Sequence, residues 1–222
     1  MYSAQASRFI GFDTSTYCSP QYARILWDAG YRLAIRYIRR DKHVNAVPDL
    51  NGLVSLSLQE RDELLSIGFK ITCVQFAKLS LVPSTAEGTA AAEAGVYNAK
   101  ALGFKAGDTI WYDFEWSTSQ NASAVMSYID AIGKYTVANG FKMGSYVGPN
   151  CSLSGDQWYA RPYCTAYWKS GAIVPWVTQR AFQLIQGVPI TVGKTSTRAG
   201  INIDQDIVCY DNKNEIFSCL AA

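Results

Sequence analysis

Thr109-Ile110-Trp111-Tyr112-Asp113-Phe114-Glu115-Trp116 is an apolar, β-rich run that stops on two carboxylates. A run of this length reads as a buried strand, and an acid at its C-terminal end is costly unless it faces a cleft. Asp113 and Glu115 are two residues apart, so on a strand both side chains point to one face, about 7 Å apart along it. Two further runs stop in the same way: Arg8-Phe9-Ile10-Gly11-Phe12 on Asp13, and Gly200-Ile201-Asn202-Ile203 on Asp204-Gln205-Asp206. In a β/α barrel the C-terminal ends of the strands carry the active site.

Outward from this run, apolar segments recur at barrel-like intervals. Strands are expected at about Arg8–Asp13, Leu33–Tyr37, Lys70–Phe76, Thr109–Phe114 and Lys142–Val147. Between them, helices are expected at Pro20–Gly30, from the capping box Ser57-Leu58-Gln59-Glu60 to near Gly68, at Thr85–Leu102 and at Ala122–Asn139. A polar loop, Arg39 to Ser55, precedes the second helix. Beyond Val147 the rhythm changes. Strand-like runs at Cys164–Trp168, Ala181–Gln186 and Ile201–Asp204 are separated by stretches rich in Gly, Pro, Ser and Thr, most of them too short for a helical crossover. The fold expected for residues 1–222 is one α/β domain: a TIM-like β/α barrel, flattened or incomplete, with a helix-poor C-terminal third and its last strands partly antiparallel.

Charged residues make up 17% of the chain and the net charge is +2, so there is no electrostatic footprint for nucleic acid. No apolar run has the length of a membrane span, so no membrane partner is expected. Six cysteines and a single histidine, with no CxxC pair, argue against a zinc site. An even, scattered set reads instead as three disulfides, Cys151–Cys164, Cys209–Cys219 and, by elimination, Cys18–Cys73, and hence as a secreted, extracellular protein. Met1 then stands after a removed leader. The sequons at Asn121 and Asn150 fit the same compartment.

If the strand ends share one rim, it gathers Asp13, Arg36, Gln75, Asp113, Glu115, Tyr146, Tyr167, Trp168, Gln183, Gln186 and Asp204. Breaking a glycosidic bond needs one carboxylic acid held protonated and a second negative group at the reacting carbon. Crowding and desolvation raise the proton affinity of the most buried acid. Glu115 is the candidate acid, desolvated by Trp116, with Asp113, Asp13 and Asp204 as further catalytic acids. Arg36, Gln75, Tyr146, Tyr167, Trp168 and Gln186 are candidate substrate-binding residues, although Arg36 also reads as a structural partner for an acid. A Ser-His-Asp or Cys-His arrangement would have to use His43, in a polar loop. No metal and no cofactor is expected.

At Gly11-Phe12-Asp13-Thr14-Ser15, Tyr112-Asp113-Phe114-Glu115 and Ile203-Asp204-Gln205-Asp206 the chain resembles glycoside-hydrolase-like domains, formerly of unknown function, that are related to the lysozyme-type muramidases of glycoside hydrolase family 25. The resemblance spans about residues 8–210 and rests on the order and spacing of these acids. It implies Glu115 as the catalytic acid, Asp113 as the carboxylate that orients or stabilises a neighbouring acetamido group, and Asp13 and Asp204 in support. In family 25 the substrate is peptidoglycan. Arg36-Tyr37 at the end of the second strand, the Asp-Thr-Ser-Thr motif and the six cysteines depart from that family. The expected function is a secreted, monomeric hydrolase of an amino-sugar polymer of the cell wall. The alternative is a non-catalytic carbohydrate-binding or interaction protein on the same barrel.

Overall fold

A computed structural model describes residues 9–44, 54–196 and 200–221; Met1, Arg8 and residues 45–53 of the polar loop lie outside them. The elements run β1 (Phe9–Thr14), α1 (Pro20–Asp28), β2 (Tyr31–Ile38), α2 (Leu58–Ile67), β3 (Lys70–Gln75), α3 (Thr85–Ala101), β4 (Thr109–Phe114), α4 (Ala122–Ala138), β5 (Lys142–Val147), α5 (Gly155–Tyr159), β6 (Cys164–Lys169), β7 (Leu184–Val192) and β8 (Ile201–Val208). The strands close a barrel in sequence order. Neighbours from β1 to β7 are parallel, whereas β8 runs antiparallel to both β7 and β1. The link from Val192 to Ile201 is too short for a helical crossover, so β8 returns beside β7 as a hairpin arm. This is the expected β/α barrel with its helix-poor last third.

The strand period of two sorts side chains into two layers. Leu33, Ile35, Val74, Trp111, Trp168, Leu184 and Val208 pack inside the barrel with Phe217 of the C-terminal segment. Phe12, Ala34, Ile71, Cys73, Tyr112, Phe114 and Tyr167 pack in the outer, helix-facing layer. The Trp111 indole fits inside because its partner on β5 is Gly144, where a Cβ would stand only 2.4 Å from the ring.

The outer layer also holds a buried ion pair. Ser57 caps α2 by accepting from the Glu60 N–H at 3.1 Å. The Glu60 carboxylate turns inward rather than completing the expected capping box. It accepts from Arg36 Nε at 2.7 Å, Arg36 Nη2 at 3.2 Å and the Cys18 N–H at 2.9 Å. Both charged side chains are fully buried. Arg36 has the opposite parity on β2 to Leu33 and Ile35, so it is a structural partner and not a substrate-binding residue.

All six cysteines carry free thiols, which corrects the expected pairs Cys151–Cys164, Cys209–Cys219 and Cys18–Cys73. Each is held in its own surroundings: Cys73 in the outer core on β3, Cys164 with its Sγ 2.9 Å from Ser145 Oγ. Burial pushes the Cys18 and Cys151 thiols up to about 12. Among the described residues no helix is long and apolar enough to cross a membrane.

Removing one member of the Arg36–Glu60 pair strands a buried charge, at a cost of about 3–5 kcal/mol. Arg36→Met and Glu60→Leu should each lose about that much in urea unfolding, while the double variant should recover most of it. Losses that simply add in the double variant would contradict the pairing.

Candidate active site

The ends of the parallel strands and the reversed β8 bring a set of carboxyl groups to one end of the barrel. Asp13 near the end of β1 pairs in register with Ile35 on one side and with Asp204 of β8 on the other. Asp113 on β4 pairs with Tyr146 on β5, and Glu115 stands just past the end of β4. Glu115 has room because the chain opposite it is Gly148: a Cβ there would lie 2.5 Å from Glu115 Cβ. Asp206 pairs with Gly11 and with Gln186, deeper in the barrel.

Gln186 ties the cluster together. Its Nε2 donates to Asp13 Oδ2 at 2.8 Å and to Asp204 Oδ2 at 3.3 Å. Its Oε1 accepts from the Tyr146 hydroxyl and from the Gly171 N–H, each at 3.0 Å. A carboxamide has two donors and two acceptor lone pairs, and all four are engaged. Tyr37 donates to Asp13 Oδ1 at 3.3 Å, and its ring stacks on Phe76 with centroids 4.5 Å apart. In front of these groups lies a cleft of about 1070 Å³, lined by Tyr37, Arg40, Phe76, Lys78, Asp113 and Glu115, among others.

The electrostatics follow from burial without enough counter-charge. Asp13 is pushed up to about 7, mainly by lost hydration; the Gln186 bond pulls against this and Asp204 adds to it. Burial, then the charges of Glu115 and Asp13, hold Asp113 well above the carboxylate range, while Arg40 and the Ala77 backbone N–H favour its anion. Burial raises Glu115 and Asp204 as well. Asp206, fully buried, lies well above the carboxylate range because of burial and the adjoining Asp13. A carboxyl of raised proton affinity at a cleft wall is equipped to give a proton near neutral pH.

The sequence-derived set divides along the two barrel layers. Asp13, Asp113, Glu115, Asp204, Tyr146 and Gln186 converge as described. Gln75 does not reach the cleft: it is buried in the outer layer, where its Nε2 donates to the Ala91 carbonyl at 2.8 Å and the Arg39 carbonyl at 3.3 Å. Tyr167 is also in the outer layer, with its hydroxyl on the Trp158 carbonyl at 3.0 Å. Gln183 bonds the Tyr167 N–H and Asp211. Trp168 is inside but fully buried beneath Tyr146, rings edge to face at 4.7 Å, so it is a floor and not a sugar platform. Gln186 has no hydrogen-bonding capacity left for a ligand and acts as a clamp. Trp116 packs on Tyr128 and donates to the Leu81 carbonyl, so its ring belongs to the outer core. Tyr37, Arg40 and Asp206 were missed from the sequence. The period of two that joins Asp113 to Glu115 also joins Leu33 and Ile35 to Tyr37, and Asp204 to Asp206, and would have found two of the three.

The family model of the Rv2525c-like, glycoside hydrolase-like domain matches residues 24–208. The fold is similar to the Mycobacterium tuberculosis Tat-secreted protein Rv2525c, at 16% identity and TM-score 0.65, over 91% of this chain and 96% of that one. It is similar to a family 25 glycosyl hydrolase from Bacillus anthracis, at 13% identity and TM-score 0.58, over 96% and 95% of the two chains. The modular autolysin LytC from Streptococcus pneumoniae, solved with a synthetic peptidoglycan ligand, matches at 11% identity and TM-score 0.50, over 90% of this chain and 46% of that one. No curated protein matches the sequence.

Because Asp13 holds its proton more tightly folded than unfolded, the native state binds more protons between about pH 4 and pH 7. Its contribution to stability is therefore fully present below pH 4 and is lost as pH rises to about 7. Asp13→Asn should raise the urea midpoint at pH 8 relative to wild type, with the difference shrinking towards pH 4. A constant difference across that range would contradict the Asp13 assignment. Gly148→Ala should destabilise by about 1–3 kcal/mol, the usual cost of overpacking, and displace Glu115; a crystal structure of the variant with Glu115 unmoved would refute the notch.

Proposed function

The chain belongs to the Rv2525c-like, glycoside hydrolase-like domain family, and on that footing we propose that it is a secreted glycoside hydrolase of an amino-sugar polymer, bacterial peptidoglycan foremost. The observation that carries this reading is the Asp113–Glu115 pair on one side of the strand end, at the wall of the cleft. Glu115, exposed to the cleft yet raised by desolvation, protonates the leaving oxygen. Asp113 takes the role of the carboxylate that stabilises the developing positive charge, although burial raises its proton affinity well above the ordinary range and Arg40 and the Ala77 N–H offset that only in part. Asp13 and Asp204 support the pair from behind. The Tyr37–Phe76 stack supplies an aromatic wall of the kind that packs on sugar faces.

The substrate assignment draws support from the peptidoglycan ligand of the LytC structure, and secretion from the Tat-secreted mycobacterial relative. Hydrolysis of purified peptidoglycan and of chitin-type oligomers should fall by at least about 10²-fold in Glu115→Gln, with glycan binding retained, because the amide is nearly isosteric and cannot give up a proton. Asp113→Asn should lose most activity as well. Turnover should decline as pH rises through the raised Glu115 titration, since the acid form is the working one. Full turnover by Glu115→Gln would remove it from the acid role. Binding without cleavage by the wild type would make the protein a glycan-binding module on this barrel.

A further inference from the structure

Asp206 sits where a carboxylate is hardest to keep. It is fully buried, and neither of its oxygens has a hydrogen-bond partner of good geometry. Its place follows from the reversed β8. In antiparallel register directly opposed residues share a face, so Asp206 stands between Gln186 of β7 and Gly11 of β1, all facing inward. Gly11 contributes no side chain there, and a Cβ would meet Leu33 Cβ at 3.1 Å. The groups around Asp206 are Asp13 on β1, Tyr31 on β2, Trp168 on β6, Gln186 on β7 and Asp204 on its own strand. None of them is a cation.

An anion in this setting has only the Trp168 indole N–H, at poor geometry, to set against burial and the Asp13 charge, whereas a neutral carboxyl has an O–H to give. The Gln186 amide cannot take it, because its carbonyl oxygen already accepts from Tyr146 and Gly171. Asp13 can: it lies on the neighbouring strand two residues beyond Gly11, the register partner of Asp206, and it receives only Gln186 and Tyr37 as donors among the bonds described above.

We propose that Asp206 is a positioning residue that stays a neutral carboxylic acid while Asp13 ionises, and that it donates its O–H to Asp13. Asp13 is then an anion held by three donors, from Gln186, Tyr37 and Asp206, directly behind the cleft pair. Both carboxyls hold their protons more tightly than ordinary carboxylates, and because Asp13 has donors to stabilise its anion while Asp206 has none of good geometry, Asp13 is the one that ionises first. Through Asp13, whose charge is felt by Asp113, the protonation of Asp206 bears on the field at Asp113. This consequence for catalysis rests on the hydrolase reading, but the protonation pattern itself does not.

Carbon-13 NMR of the aspartate carboxyl groups, titrated from pH 4 to pH 9 in the full chain without substrate, tests it, with Asp13→Asn and Asp206→Asn giving the assignments. The expected result is an Asp206 signal that stays at the protonated position after the Asp13 signal has moved. Asp206→Asn, whose amide can still donate, should leave the Asp13 midpoint within a few tenths of a pH unit. Asp206→Leu, which cannot donate, should raise it by about one pH unit. A merely space-filling role would move Asp13 alike in both variants, and that result overturns the proposal. So does an Asp206 signal that titrates before Asp13, which the wild type alone reveals even if the Leu variant fails to fold. A chain with the expected titrations and no turnover would keep this assignment and lose the hydrolase reading (the coupled titration is resolved site by site, not by its macroscopic midpoints).

Discussion

The antiparallel closure by β8 is the constraint on which the site depends. In an all-parallel barrel each strand reaches the catalytic rim only with its last residues. A reversed strand instead enters the barrel at that rim, and here it brings Asp204 opposite Asp13 and then Asp206 opposite Gly11. Two carboxyls thus descend into the barrel one beneath the other. The shift in register between Gln186 and Pro189 on β7 is part of the same closure, since Pro189 has no N–H for the ladder and the residues between the two are passed over. That offset sets Gln186 opposite Asp206 and within reach of both Asp13 and Asp204.

The order of strands and helices was legible in the sequence because apolar periodicity and capping residues are local signals. So was the convergence of Asp13, Asp113, Glu115 and Asp204, although Asp204 is there for a different reason. The apolar run before it does not end on it: β8 continues to Val208, and Asp204 reaches the rim because the strand is reversed. What was not legible was the face each polar residue takes. Arg36, Gln75 and Tyr167 occupy strand positions near the rim, but their parity sends them into the helix layer, where partners distant in sequence, Glu60, Ala91 and Trp158, receive them. Those partners cannot be read from spacing. The even count of cysteines misled in a similar way, because Cys73 and Cys164 act as small apolar side chains of the packed outer layer.

The two buried polar systems show opposite solutions to one problem. Arg36 and Glu60 neutralise each other in the outer layer and satisfy a backbone N–H at the same time. The inner cluster packs Asp13, Asp113, Asp204 and Asp206 with hydrogen-bond donors but little positive charge, so protons take the place of counter-ions. The first arrangement carries its own counter-charge. The second is costly to stability as pH rises, which is the usual mark of a site kept for its chemistry.

The clamp at Gln186 has a mechanical side. Its carbonyl oxygen is fixed by the N–H of Gly171, at the start of the segment that joins β6 to β7, while its amide nitrogen holds Asp13 and Asp204. One rigid, planar group therefore spans a surface segment and the carboxyls within. Any displacement of the backbone at Gly171 would tug on the same amide that orients Asp13, so the position of the outer segment and the geometry of the inner acids are linked through a single side chain.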